Sequence, residues 1–188
     1  MDPLTDNALM LKVKAGDLDR MGLLYERHHR ALYGFLFHMT GQREPSEDMV
    51  QNVFYRMLKY RHTFSGEGEF KTWMYHLARN VLKDQVKKNK RTAHTYDVTE
   101  WEERIDGGTP ADKEIQKRQE LKALQHAMAS LNPESREVLV LSRYQELKYV
   151  EIARILDITE GAVKVRVHRA IGQLKSIYLK LENQEASR

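Results

Sequence analysis

Residues 149–174 read YVEIARILDITEGAVKVRVHRAIGQL, and their spacing decides the fold. Ile152 and Leu156 lie one helical turn apart and give a short helix, predicted over 150–156, its packing face. Ala153 lets a second helix approach closely. Asp157 stands at the turn position where glycine is commonest, and Asp tolerates a left-handed conformation better than most residues. Ile158 plugs the turn, and Thr159 is the expected cap of a second helix over 160–181. Along that helix Val163, Val167, Ala170, Ile171 and Leu174 form one apolar stripe. A short helix, a tight turn and a longer amphipathic helix make a helix-turn-helix, whose second helix is placed to read a major groove.

The face opposite the stripe carries Gly161, Val165, His168, Arg169 and Gly172, with Lys164 and Arg166 on its flanks. Small residues permit close approach, and Arg169 suits a guanine edge or a phosphate. Val165 has no core to enter, and a thymine methyl suits it. A lone helix of this kind reads equally well as a solvated face of an ordinary bundle. The short helix and turn before it favour DNA.

Outward from this stretch the periodicity is helical nearly everywhere, and no segment shows strand alternation over four or more residues. Asn132-Pro133 restarts the chain after a helix beginning near Ala111, with Asn as cap and Pro at the first helical position. Nearer the N-terminus, Asp6 and Asp17 are the expected caps of a short helix and a longer one reaching about His38. Gly41 and Pro45 break the chain, Ser46 opens a helix over 46–60, and residues 63–68 (TFSGEG) lead into another over 70–89. From Thr92 to Pro110 the pattern fails amid acids and Gly107-Gly108. Charge divides the chain in the same places. Residues 1–91 hold 16 Lys and Arg against 11 Asp and Glu, residues 92–117 hold 3 against 7, and residues 118–188 hold 12 against 9. The expected fold is all-α: two small helical domains, 1–91 and 118–188, joined by a flexible acidic linker over 92–117, the second containing the helix-turn-helix. Two basic blocks suggest two anion-binding modules on a tether.

In the first module, helix 46–60 is expected to bury Val50, Val53, Phe54, Met57 and Leu58. Its outer face is Asp48, Gln51, Asn52, Tyr55 and Lys59, a polar surface with one large aromatic that suits either a protein partner or solvent. Helix 70–89 turns Phe70, Trp73, Met74, Leu77, Ala78, Val81 and Leu82 inward. Its outer arc is Thr72, His76, Arg79, Asn80, Lys83, Lys87 and Lys90, a basic track with hydrogen-bonding residues at one end. Such a track suits single-stranded nucleic acid, whose backbone charge it neutralises and whose unstacked bases it reads. The preceding loop, with Phe64, Ser65 and two glycines, is shaped for an extruded base. It is not a phosphate cradle, because the P-loop lysine is missing.

The strings EDMVQNVFYRMLKY (47–60) and FKTWMYHLARNVLKD (70–84) resemble the promoter-melting domain of bacterial extracytoplasmic-function (ECF) sigma factors. LNPESREVLVL (131–141) and the opening stretch resemble that family's second DNA-binding domain, in the same order. The resemblance implies a sigma factor that binds RNA polymerase core and directs promoter-specific initiation. It places Asp48, Gln51, Asn52 and Tyr55 against the clamp helices of the core, although the family commonly has an acid at position 52. It makes the loop over 62–69, with Phe64 and Ser65, a pocket for a flipped base of the −10 element. His76, Arg79, Asn80, Lys83 and Lys87 then lie along the melted strand, with Arg79 and Asn80 as its readers. Lys164, Val165, Arg166, His168 and Arg169 fall on its −35 contacts. The partners implied are polymerase core (clamp helices and flap), promoter DNA in duplex and single-stranded form, and an anti-sigma protein.

Other functions find little support. The chain has no cysteine, which removes disulfides, thiolate metal sites and Cys nucleophiles. Its 8 His are scattered, and the adjacent His28 and His29 point in different directions on a helix. No catalytic constellation stands out, so neither an enzyme, a metal site nor a cofactor is expected. No run reaches the 18 apolar residues of a membrane span and no signal-like start is seen, so a cytoplasmic protein without direct membrane insertion is expected. The serious rival is a DNA-binding regulator of another kind, whose first module binds a signal or a dimer partner.

Overall fold

The computed structural model describes residues 4–91 and 112–185. Most of the expected linker lies outside them. Eight helices follow in order: α1 (Asp6–Lys14), α2 (Arg20–Thr40), α3 (Arg43–Lys59), α4 (Phe70–Arg91), α5 (Asp112–Ser130), α6 (Pro133–Leu139), α7 (Tyr149–Leu156) and α8 (Glu160–Glu185). Among the described residues a 3-10 turn, Arg61–Thr63, follows α3, and a π-helical turn, Val140–Tyr144, extends α6. The described residues contain no strand. Helices α1–α4 form the first module, and α5–α8 the second, built around α8.

Several helix starts depart from the sequence reading. Thr5, not Asp6, caps α1, its hydroxyl accepting from Ala8 N–H at 3.2 Å. Asp6 becomes the first helical residue, where the helix dipole favours an acid. At α2 the cap position is Asp19, while Asp17 pairs with Arg20 at 2.9 Å. Helix α3 begins at Arg43 rather than Ser46, with Pro45 inside its first turn. The N–H groups there have no intrahelical acceptor, so a proline costs nothing. Ser46 is fully buried, bridging Gln42 C=O and the Thr40 hydroxyl. Helix α5 does begin at Asp112, as the periodicity near Ala111 indicates, so residues 112–117, grouped by charge with the linker, are its first turns. Their Lys, Glu and Gln side chains are good helix formers, which a charge count does not register.

Other expectations hold. Gly41 ends α2 at φ 73°, the left-handed conformation glycine adopts freely. Asn132 caps α6, accepting from Ser135 N–H at 2.9 Å, with Pro133 at the first helical position. In the second module Asp157 ends α7 at φ 55°, ψ 50°, and Thr159 caps α8 through Ala162 N–H at 3.1 Å. Val163, Val167 and Ala170 are buried as the stripe requires, while Ile171, at the edge of the stripe, is 40% exposed and Leu174 and Ile177 beyond it still pack on the core.

The two modules touch. Tyr75 on α4 is buried and donates to Gln145 Oε1 at 2.8 Å, and the His38 ring on α2 lies 3.9 Å from that of Tyr144. The half-buried Arg136 guanidinium on α6 donates to the carbonyls of Met128, Ala129, Leu131 and, across the boundary, Met39. The apolar core is therefore continuous from α1 to α8.

Candidate nucleic-acid interface

On α8 the face expected to read DNA stands open. Lys164, Val165, His168 and Arg169 are all exposed, and Val165 shows 48% of its surface to solvent despite being apolar. Lys164 pairs loosely with Glu160 one turn back, at 3.1 Å. Arg166, half-buried on the flank, lies 4.0 Å from Glu134 of α6. These exposed pairs are weak enough for a phosphate to displace. The packed stripe holds α8 against the module and aims the other face outward as a unit.

On α3 the residues Asp48, Gln51, Asn52 and Tyr55 are exposed, Tyr55 at 63%. Asn52 Oδ1 accepts from Arg56 Nε at 2.9 Å, and Arg56 reaches Asp84 of α4 at 2.8 Å. Two hollows flank this ridge. One, of about 350 Å³ between α3 and α4, is lined in part by Asp48, Asn52, Asp84 and Lys88. The other, about 360 Å³ between α2 and α3, is lined by Gln51 with Tyr25, His29, Arg30 and Tyr33. Tyr25 and His29 stack at 4.9 Å with their rings nearly parallel. The sequence reading missed this contribution of α2, whose signal was an aromatic and an imidazole four residues apart on an exposed face.

The loop before α4 is tied down by α1. Asn7 donates to Gly68 C=O at 2.8 Å and accepts from Phe70 N–H at 2.8 Å, and Lys14 Nζ donates to Phe64 C=O at 2.6 Å. Gly66 sits at φ 81°, and a side chain there would crowd Leu11, 3.1 Å away. Phe64, expected at the surface of the base pocket, is instead buried, its ring 5.3 Å from Trp73 and 6.3 Å from Phe70. An aromatic beside an apolar helix start gains more from the core than from water. Ser65 is exposed, its hydroxyl accepting from Glu67 N–H. Beside the loop opens a cavity of about 690 Å³, lined by residues of α1, Arg27, Glu69, Phe70 and Lys71.

Along α4 the arc divides. Asn80, Lys83 and Lys87 are exposed, as a basic track requires. Arg79 is turned into the second module. Its Nε and Nη2 donate to the two oxygens of Glu137 at 2.8 and 3.3 Å, and its Nη1 to Ile155 C=O at 2.7 Å. His76 is half-buried beside it, and burial, with the Arg79 charge, holds its pKa below the usual imidazole value. The expectation of Arg79 and His76 on a free outer face is therefore corrected in this conformation. Among the described residues no cluster of His, Asp and Glu forms a metal site, and no helix is long and apolar enough to cross a membrane.

Two helical modules, one carrying an open helix-turn-helix face and the other a basic helix behind a braced loop, define a DNA-binding transcription protein. Family models agree: Sigma-70 region 2 matches residues 24–92 and Sigma-70, region 4 matches residues 121–174. The ECF RNA polymerase sigma factor SigX of Bacillus subtilis is 31% identical over 157 residues, which are 81% of this chain and 80% of that protein. The ECF RNA polymerase sigma factor BldN of Streptomyces coelicolor is 29% identical over 180 residues, 90% of this chain and 66% of that protein. CnrH, solved in complex with the cytosolic domain of CnrY, shares the fold with a TM-score of 0.69 at 23% identity, covering 92% of this chain and 96% of that one. So does the sigma factor RpoE of Bartonella quintana, solved with the anti-sigma factor NepR, at 0.67 and 22%, over 86% of this chain and 96% of that one. The chain belongs to the ECF sigma factors of the sigma-70 family. It is a non-catalytic subunit that binds RNA polymerase and directs transcription initiation.

Proposed function

We propose that the two modules divide promoter recognition between them, α8 reading the −35 element as duplex and α4 with its loop capturing the melted −10 strand. The observation that carries this reading is the open face of α8. An exposed valine beside Arg169, His168 and Lys164, on a helix capped and aimed by a tight turn, has little use except against base edges. In the first module Lys83 and Lys87 neutralise the backbone of the single strand. Asn80 supplies hydrogen bonds to an unstacked base, and the cavity beside the loop receives one that leaves the stack. Unstacking costs a few kcal/mol, which these contacts offset.

The ridge Asp48, Gln51, Asn52 and Tyr55 docks on the clamp helices of the polymerase core, with Tyr55 as its aromatic anchor. The second module meets the flap. An anti-sigma protein is a further partner, supported by the similar sigma factor RpoE, which was solved with the anti-sigma factor NepR. Such a protein has only to cover the α3 ridge or the α8 face to silence the chain.

Reconstitution tests the whole reading. Promoters are selected from a random DNA library with core polymerase and the chain, then transcribed with and without it. Transcription is expected only with the chain. Equal transcription from core alone sinks the proposal. Arg169→Ala is expected to relax preference at one −35 position, and unaltered preference and affinity would remove α8 from recognition.

A further inference from the structure

One face of α1 is given over to the loop before α4. Asn7, Leu11 and Lys14 stand at i, i+4 and i+7 and so form a single stripe along the helix. They meet the loop in reverse order. Asn7 Nδ2 donates to Gly68 C=O and its Oδ1 accepts from Phe70 N–H, both at 2.8 Å. The Leu11 side chain covers Gly66, and Lys14 Nζ donates to Phe64 C=O at 2.6 Å. Helix α1 therefore lies antiparallel beside residues 64–70 as a splint. The splint is itself fixed. Leu9, Met10 and Val13 bury it in the core, and Asp6 at its start accepts from Arg27 at 2.8 Å and meets the His28 imidazole at 2.7 Å.

The loop has little of its own to order it. Gly66 and Gly68 carry no side chain, and Ser65, Glu67 and Glu69 are exposed. Left free, a segment of this composition would bear the entropy of ordering at the moment a base enters it. The ties to α1 move that cost into folding, so the loop meets the base already shaped. Asn7 also lines the cavity of about 690 Å³ beside the loop. Both polar ends of its side chain are committed to loop backbone, so it holds the pocket and does not read the base. We propose that Asn7, supported by Leu11 and Lys14, is a positioning residue for base capture: through the shape of the loop over 64–69, α1 sets which base is preferred at the captured −10 position. This rests on the reading of the loop as the capture site given above. Discrimination between bases depends on hydrogen-bond distance and angle, which a loosened loop no longer fixes.

Two substitutions separate the loop tie from the helix cap. Asn7→Asp keeps an acceptor for Phe70 N–H and loses the donor to Gly68 C=O, whereas Asn7→Ala loses both. Core polymerase reconstituted with each full-length chain is titrated with fluorescent single-stranded oligonucleotides of the selected −10 sequence, all four bases being placed in turn at every position. The position where the parent discriminates most, and where deleting Glu67 from the loop abolishes the preference, is the captured one. Both Asn7 variants are expected to lose roughly tenfold of the discrimination there, about 1.4 kcal/mol, and to keep it at the other positions. Urea unfolding should show a stability loss only in Asn7→Ala, which separates the lost preference from a weakened fold. Parental discrimination in Asn7→Asp overturns the proposal. So does an equal loss at every position, and so does a loss confined to Asn7→Asp, which would trace to its added charge. If the parent discriminates nowhere, or deleting Glu67 leaves its preferences intact, the loop does not capture the base, and the proposal falls with that reading. If the deletion abolishes the preference and Asn7→Asp does not disturb it, the reading stands and the positioning role alone fails.

Discussion

Arg136 makes the sharpest energetic prediction. Its guanidinium is half-buried on α6 with no carboxylate beside it and donates instead to four main-chain carbonyls, those of Met128, Ala129, Leu131 and Met39. Burial lowers its pKa, but a guanidinium stays charged at any ordinary pH. Three of the carbonyls belong to the end of α5 and the turn after it, where only Met128 has another donor, the Leu131 N–H, and the fourth ends α2 in the other module. Replacing Arg136 by Met keeps an unbranched apolar stem and removes every donor. At the low end of the range, each part-buried orphaned carbonyl costs about 1 kcal/mol, or roughly 3 kcal/mol for the three left without another donor, since Met128 C=O also accepts from Leu131 N–H. Relief from burying an ion reduces this to about 2 kcal/mol. Urea unfolding followed by circular dichroism should show the midpoint falling by that amount at constant slope. Arg136→Lys should rescue little, since an ammonium is a compact point donor of shorter reach and cannot span four acceptors. A loss under about 1 kcal/mol in the Met variant, or full stability in the Lys variant, would refute the reasoning.

Asn7→Ala removes the side chain that caps the start of α4 from another helix; a loss of about 1–2 kcal/mol is expected, with faster hydrogen exchange across residues 64–72. Unchanged exchange there would mean the loop is held by something else. Burial at the module boundary pushes the His38 imidazole down to about 4, against 6.5 in the unfolded chain. Its contribution is full above pH 6.5 and lost as pH falls toward 4, by about 2 kcal/mol once partial solvent access is discounted. A pH series of unfolding midpoints should show this limb, and His38→Gln should flatten it. Asp157→Gly relieves a left-handed residue and should raise stability by about 0.5 kcal/mol in the same assay, whereas a loss would mean that the Asp side chain holds the turn.

What could be read in advance was whatever depends on neighbours in sequence. The caps at Asn132 and Thr159 act over three residues, the left-handed Asp157 is a property of one, and the stripe Val163, Val167, Ala170 repeats with the helix turn. Hence the all-α class, the helix-turn-helix and the open face of α8 were legible. The same rule explains the errors near helix starts. Thr5 and Asp6 are both good caps, and the choice between them turns on which backbone leaves the helical conformation first.

The sequence by itself determined which surfaces carry charge and hydrogen-bonding groups: the ridge on α3, the basic arc on α4 and the reading face of α8. Only the tertiary structure decided which of those groups are free. Arg79 and Glu137 are 58 residues apart in the chain, Asn7 and Phe70 are 63, and Arg136 and Met39 are 97. Periodicity along one helix states that Arg79 points away from its own module's core, which is true. It carries no information about what lies across from it. A guanidinium offers the same fork to a phosphate and to a carboxylate, so the identity of its partner is settled by the packing that brings Glu137 within 2.8 Å.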